Sequence, residues 1–102
     1  MRRIINGKKY DTDTADFIDE TGNNLPQSNF RWMEEELYKK KTGEFFLAGE
    51  GGPLSKYGIR CDNNTLSGSH KITPLTIDEA KEWVENNSCY STYVELFGEP
   101  EE

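Results

Sequence analysis

The sequence predicts an α+β fold: a small antiparallel sheet built on two hairpins, with two C-terminal helices packed on it. Three observations carry that reading. Asn6-Gly7 lies between two short segments, and this pair suits a two-residue hairpin turn, in which both central residues take positive φ. Lys41-Thr42-Gly43 separates two further segments, the second of which holds the longest apolar run, Phe45-Phe46-Leu47-Ala48. Helical spacing of apolar residues is confined to Thr76–Asn86 and to the stretch from Ser91 to Phe97. Strands followed by helices, rather than alternating with them, give an antiparallel sheet.

At 102 residues the chain is one domain, residues 1–102, with 99–102 as a frayed tail. An apolar fraction of 33% and a charged fraction of 30% are polar for a globular chain, but five Phe, five Tyr and two Trp supply a core. Nineteen acidic residues against twelve basic ones give a net charge of −7. That charge repels phosphates and argues against direct binding to duplex DNA or an anionic membrane. It suits a partner with a basic surface, including one that normally holds nucleic acid, and it also serves solubility. The two cysteines, Cys61 and Cys89, read as free thiols in a reducing compartment. MRRII offers an apolar run of two residues, where a secretory core needs about seven or more. The expectation is a soluble, cytoplasmic protein.

Taken in order, Arg3–Tyr10 forms the first hairpin, with Ile4 or Ile5 turned inward and Tyr10 across from it. Asp11–Thr14 offers side-chain caps for a short turn or helix containing Ala15, Phe17 and Ile18. Thr21–Asn29 is turn-forming throughout and reads as a loop. Phe30, Trp32 and Met33 restart the core. Three glutamates followed by lysines favour a helix by propensity, but Glu36 and Tyr38 alternate against Leu37 ahead of a turn, which favours a strand paired with Glu44–Gly49. Adjacent phenylalanines point to opposite faces, so Leu37 and Tyr38 each meet one of Phe45 and Phe46, and each face carries a ring. An exposed ring would mark an interface.

Glu50–Pro53 reads as a tight turn, with Pro53 opening a short helical turn through Tyr57. Gly58–Ser69 is a polar loop with turn sites at Asn63-Asn64 and Gly68, and His70–Thr73 a last strand ending before Pro74. Thr76 and Glu79 have the spacing of a capping box, with Leu75 stapled onto Ala80. Ile77, Ala80, Trp83 and Val84 make the buried stripe of that helix, while Asp78, Lys81, Glu82 and Glu85 face water. Tyr90, Tyr93, Val94 and Phe97 recur at helical spacing in the second helix, which Gly98 ends.

Chemistry-bearing patterns are few. Gly49–Pro53 lacks the spacing of a phosphate loop, and Glu50 inside it repels phosphate. His70 is the single histidine, and no local signature supports a nucleophilic dyad with Cys61 or Cys89. Cys61, His70 and Cys89 are zinc-ligand types, with Asp62 or water as a fourth donor, although their spacing matches no finger pattern and unliganded thiols are the simpler account. Glu34, Glu35 and Glu36, Glu50, and more weakly Asp11 and Asp13 are candidate docking carboxylates for a basic partner. Nothing here makes a catalytic set, so the expectation is a protein without enzymatic activity or a required cofactor.

RIINGKKYDTDTA, LYKKKTGEFFLAGEGGPLSKY and ITPLTIDEAKEW, together roughly half the chain, resemble a family of small acidic bacterial proteins carried by phages and mobile elements. The middle block is the most specific. Some members or neighbours of that family are anti-CRISPR proteins that inhibit type II effector nucleases. The resemblance implies a stoichiometric inhibitor whose partner is such a nuclease or its ribonucleoprotein, and no catalytic motif comes with it. The alternative is a mobile-element accessory domain that binds another protein through the Phe45/Phe46 sheet and has no role in CRISPR inhibition.

Overall fold

Asn6 and Gly7 reverse the chain at φ of 54° and 78°, so β1 (Arg2–Ile5) pairs antiparallel with β2 (Lys8–Asp11) in the computed structural model, which describes residues 1–102. This is the hairpin the Asn-Gly pair predicts. Ile5 is its inward isoleucine, and Tyr10 lies opposite Arg3 on that same face.

The next segment departs from expectation. Asp16–Gly22 is a strand, β3, and not a helix. The capping groups before it are consumed by a tight turn, in which the Asp13 N–H donates to the Asp11 carboxylate at 2.9 Å and the Ala15 N–H donates to the Asp11 carbonyl at 3.1 Å. β3 then finds its backbone partners on β4 (Met33–Lys39), from Asp16 opposite Lys39 to Gly22 opposite Glu34. Pairing of this kind overrides local propensity. A bulge between Phe17 and Asp19 turns Ile18 towards the helical side of the sheet.

β4 and β5 (Phe45–Gly51) form the expected central hairpin, with Leu37 opposite Leu47 and Tyr38 opposite Phe46. β5 runs two residues further than predicted. Glu50 and Gly51 stay in the sheet because strands on both sides extend far enough to pair with them. The chain then makes two successive turns, the Ser55 N–H bonding to the Gly52 carbonyl at 3.1 Å and the Gly58 N–H to the Ser55 carbonyl at 3.0 Å, rather than a helical turn.

Within the polar stretch that follows, β6 (Ile59–Arg60) and β7 (Leu66–Ser67) make a short ribbon. β8 (Ser69–Leu75) completes the main sheet, whose order is β3-β4-β5-β8. It continues through Pro74, which an edge strand accommodates because its outer side needs no N–H donor.

Thr76 caps α1 (Ile77–Asn87) with both halves of the capping box in place: the Glu79 N–H donates to Thr76 Oγ1 at 3.1 Å, and the Thr76 N–H donates to Glu79 Oε1 at 2.9 Å. Ala80, Trp83 and Val84 are buried, whereas Ile77, at the first helical position, remains exposed. α2 (Tyr90–Phe97) packs through Tyr93, Leu96 and Phe97. Its Tyr90 belongs to solvent instead, and the hydroxyl donates to Glu99 at 2.5 Å.

The fold is therefore three layers: helices, four-stranded sheet, N-terminal hairpin. Leu37, Phe45 and Leu47 meet Ala80, Trp83 and Val84 on one face. Tyr38, Phe46, Ala48 and Ile72 meet Tyr10 on the other, where the Tyr38 and Phe46 rings stack at 5.4 Å and Tyr10 stands edge-on to Phe46 at 5.5 Å. Phe45 is 3% and Phe46 0% exposed, so neither ring offers an interface. No helix is long and apolar enough to cross a membrane.

Candidate functional site: an acidic half-face of the sheet

The β1–β2 hairpin covers only part of its side of the main sheet, over Tyr38 and Phe46. Beyond it the strand register gathers carboxylates. Glu34 stands opposite Glu50, and Glu20 opposite Glu36. Residues paired in this way share a face. Glu20, Glu34 and Glu50 are exposed and Glu36 is half-buried. The ion pairs of the chain are Lys8–Glu44 at 3.0 Å, Lys40–Glu44 at 3.2 Å, Lys41–Asp16 at 2.5 Å and Lys56–Glu35 at 2.5 Å. None of them neutralises this cluster.

Met1 lines a hollow of about 100 Å³ with Glu34, Glu36 and Glu50, but its ammonium donates to Thr12 Oγ1 at 3.0 Å. His70 stands opposite Glu50 on β8. Burial, and behind it the charges of Glu36, Asp13 and Glu20, push the Tyr38 phenol above its ordinary pKa. The Tyr38 hydroxyl donates to Glu36 Oε1 at 3.3 Å. Like charges directly opposite one another destabilise a sheet, and no ion pair within the chain offsets that cost.

Glu35 does not belong to that surface. One residue along a strand reverses the face, and Glu35 shares the helical side with Leu37. It is 4% exposed. Its carboxylate accepts from the Tyr57 hydroxyl, from Trp83 Nε1 at 3.3 Å and from Lys56 Nζ at 2.5 Å. Burial raises the Glu35 pKa, but the hydrogen bonds from Lys56, Tyr57 and Trp83 and the Lys56 charge outweigh it, leaving the carboxyl below its ordinary value. Burial and the Glu35 charge push the Tyr57 phenol well up. One group is held ionised and the other protonated, so neither is poised to exchange a proton near neutral pH.

The glycine-rich exit of the central hairpin serves this cluster. A Cβ on Gly49 would overlap the Tyr57 hydroxyl, and one on Gly58 the Pro53 carbonyl. Both glycines are set by close approach, which lets the loop fold back and lay Tyr57 and Lys56 on Glu35.

The other sequence-predicted residues separate. Asp11 is buried and spends its carboxylate on the turn before β3, so it is a structural residue and not a docking one. Asp13 is exposed near the acidic half-face. Cys61 follows β6, His70 lies on β8, and Cys89 caps α2; both thiols are exposed. No three His, Cys, Asp or Glu side chains converge to hold a metal ion, the set of Cys61, His70 and Cys89 included. Hydrogen bonds with Ser91 and then Thr92, each at 3.2 Å, bring the Cys89 thiol down to about 7.

Two features escaped sequence reasoning. Glu20 joins the acidic half-face only through the β3–β4 register. The burial of Glu35 follows from its parity with Leu37, a signal present in the sequence. No family model, curated protein or solved structure matches the chain.

Proposed function

We propose that this chain is a stoichiometric protein inhibitor of the anti-CRISPR kind, and not an enzyme. It docks the acidic half-face formed by Glu20, Glu34, Glu36 and Glu50 onto a type II effector nuclease and blocks nucleic-acid loading or cleavage. The observation that supports this most is the set of like-charged cross-strand pairs on an open sheet face with no salt-bridge partner within the chain. Such a face is relieved by a cationic partner. RNA-guided nucleases hold nucleic acid in positively charged channels and read the adjacent motif with arginines, which is the complementary chemistry. The setting is the cytoplasm of the bacterial host, consistent with two free thiols.

The accessory-domain alternative loses the surface first assigned to it, because Phe45 and Phe46 are both buried.

A plasmid-interference assay in cells with a type II system tests the proposal. The wild-type chain is expected to rescue a targeted plasmid, and a Glu34→Lys, Glu36→Lys, Glu50→Lys variant to fail. Undiminished target cleavage in the presence of the wild type, across several such nucleases, would sink it.

A further inference from the structure

The net charge of −7 is not spread evenly. Residues 76–102, which form the helical layer and tail, carry eight acidic residues and one lysine, so they account for all of it. The first ten residues carry Arg2, Arg3, Lys8 and Lys9 and no carboxylate. These two regions lie on opposite sides of the main sheet, since the helices pack on Leu37 and Phe45 and the hairpin on Tyr38 and Phe46. With layers about 10 Å apart, the acidic helices are roughly 20 Å from the hairpin's outer surface, more than two Debye lengths of about 8 Å at physiological salt. The helical layer therefore adds little repulsion of phosphates at this surface, and the carboxylates that bear on it are those on the hairpin's own side of the sheet, Glu20, Glu34, Glu36 and Glu50.

The hairpin register puts Arg2, Ile4 and Lys9 on the outward face, with Arg2 opposite the buried Asp11. Arg3, which the register assigns to the other face, is exposed and lines one shallow depression with them. Lys8 is paired with Glu44, but Arg2, Arg3 and Lys9 take part in no salt bridge. Ile4, set among these cations, is 78% exposed, although Ile5 beside it is turned inward. An unpaired cationic strip around an exposed apolar side chain matches a nucleic-acid strand, whose phosphates take the charges while a sugar or base rests on the aliphatic group.

We propose that Arg2, Arg3 and Lys9, which line one depression with Ile4 on the β1–β2 ribbon, bind the phosphate backbone of a single-stranded nucleic acid. Width selects the single strand. The ribbon is two strands across, about 5 Å between strand axes, and four residues or about 13 Å long. The Glu34, Glu36 and Glu50 floor lies beside it under Met1. A duplex would bring its second row of phosphates over that floor, whereas one strand follows the strip alone. This inference does not depend on the inhibitor reading.

Fluorescence anisotropy with the full chain tests it, using labelled single-stranded RNA, single-stranded DNA and duplex DNA of about 20 nucleotides at salt from about 50 to 200 mM. Both single strands are expected to bind at low salt with equal affinity. Three phosphate contacts give a slope of log K against log salt of about −2, a weakening of about 20-fold over that range. Arg2→Glu, Arg3→Glu, Lys9→Glu together should lower affinity at least about tenfold at unchanged melting temperature. Should that variant misfold, Arg2→Gln with Arg3→Gln should cut the slope to about −1 or less. Lys81→Glu, on the helical layer, should bind as wild type.

Four results overturn the proposal: no binding at low salt, undiminished binding by the charge-reversed hairpin, duplex binding as tight as single-strand binding, or strong discrimination between RNA and DNA. Equal competition by polyglutamate at matched charge also overturns it, and assigns the strip to an acidic protein instead.

Discussion

Replacing Glu35 by alanine removes the acceptor of three donors at once. Lys56 is largely solvated and finds water, so its loss costs little. The Tyr57 hydroxyl and Trp83 Nε1 belong to buried side chains, and each unpaired buried donor costs about 1–3 kcal/mol. Together they predict a destabilisation of about 3–5 kcal/mol, in line with the cost of breaking a buried charge pair. For a domain of about 100 residues this lowers the melting temperature by roughly 15–25 °C. Glu35→Gln keeps the shape and one acceptor oxygen, and should cost only about 1–2 kcal/mol.

The pH dependence follows in sign from the lowered Glu35 pKa. A carboxyl whose folded value is below its unfolded one contributes stability that is fully present above the ordinary value of 4.5. That contribution is lost as pH falls through the folded value. The glutamine variant should therefore converge on wild type in acid and diverge from it towards neutrality. Urea unfolding followed by circular dichroism, repeated from neutral to acidic pH, measures both effects. An alanine variant within about 1 kcal/mol of wild type, less than one unpaired buried donor should cost, would refute the burial of Glu35 and return it to the docking surface.

Gly49→Ala should cost about 1–3 kcal/mol in urea unfolding, because the added methyl group must displace Tyr57 from the Glu35 cluster. Thr76→Ala removes one half of the capping box on α1 and should cost about 1 kcal/mol, read as a lower midpoint at an unchanged denaturant slope. Glu34→Lys converts the repulsive Glu34/Glu50 pair into an opposite-charge pair and should stabilise the fold by about 0.2–1 kcal/mol. The same substitution should weaken partner binding, so stability and function move in opposite directions.

What the sequence made legible was local. Asn6-Gly7 encodes its own turn, Thr76 and Glu79 their own cap, and Lys41–Gly43 the reversal between two strands. β3 was hidden because its caps serve the turn before it, and its partner strand lies across a loop with no patterning of its own. The extension of β5 through Glu50 depends on how far β4 and β8 reach, which a glycine-rich segment does not announce.

The candidate site divides in the same way. Parity along β4 places Glu34 and Glu36 on one face and Glu35 on the other, and this is visible in the triplet itself. The partners that bury Glu35 are Tyr57 and Trp83, 22 and 48 residues away, where no spacing rule reaches. Glu20 meets Glu36 only because the bulge at Ile18 shifts the register.

The acidic half-face as a docking surface is tested most directly by titrating a purified type II effector ribonucleoprotein with the wild-type chain and with the Glu34→Lys, Glu36→Lys, Glu50→Lys variant in a calorimeter. The account predicts a one-to-one wild-type complex whose affinity falls as salt rises, and no complex with a variant that circular dichroism shows to be folded. Equal affinity of the two proteins, or no complex with the wild type, would contradict it.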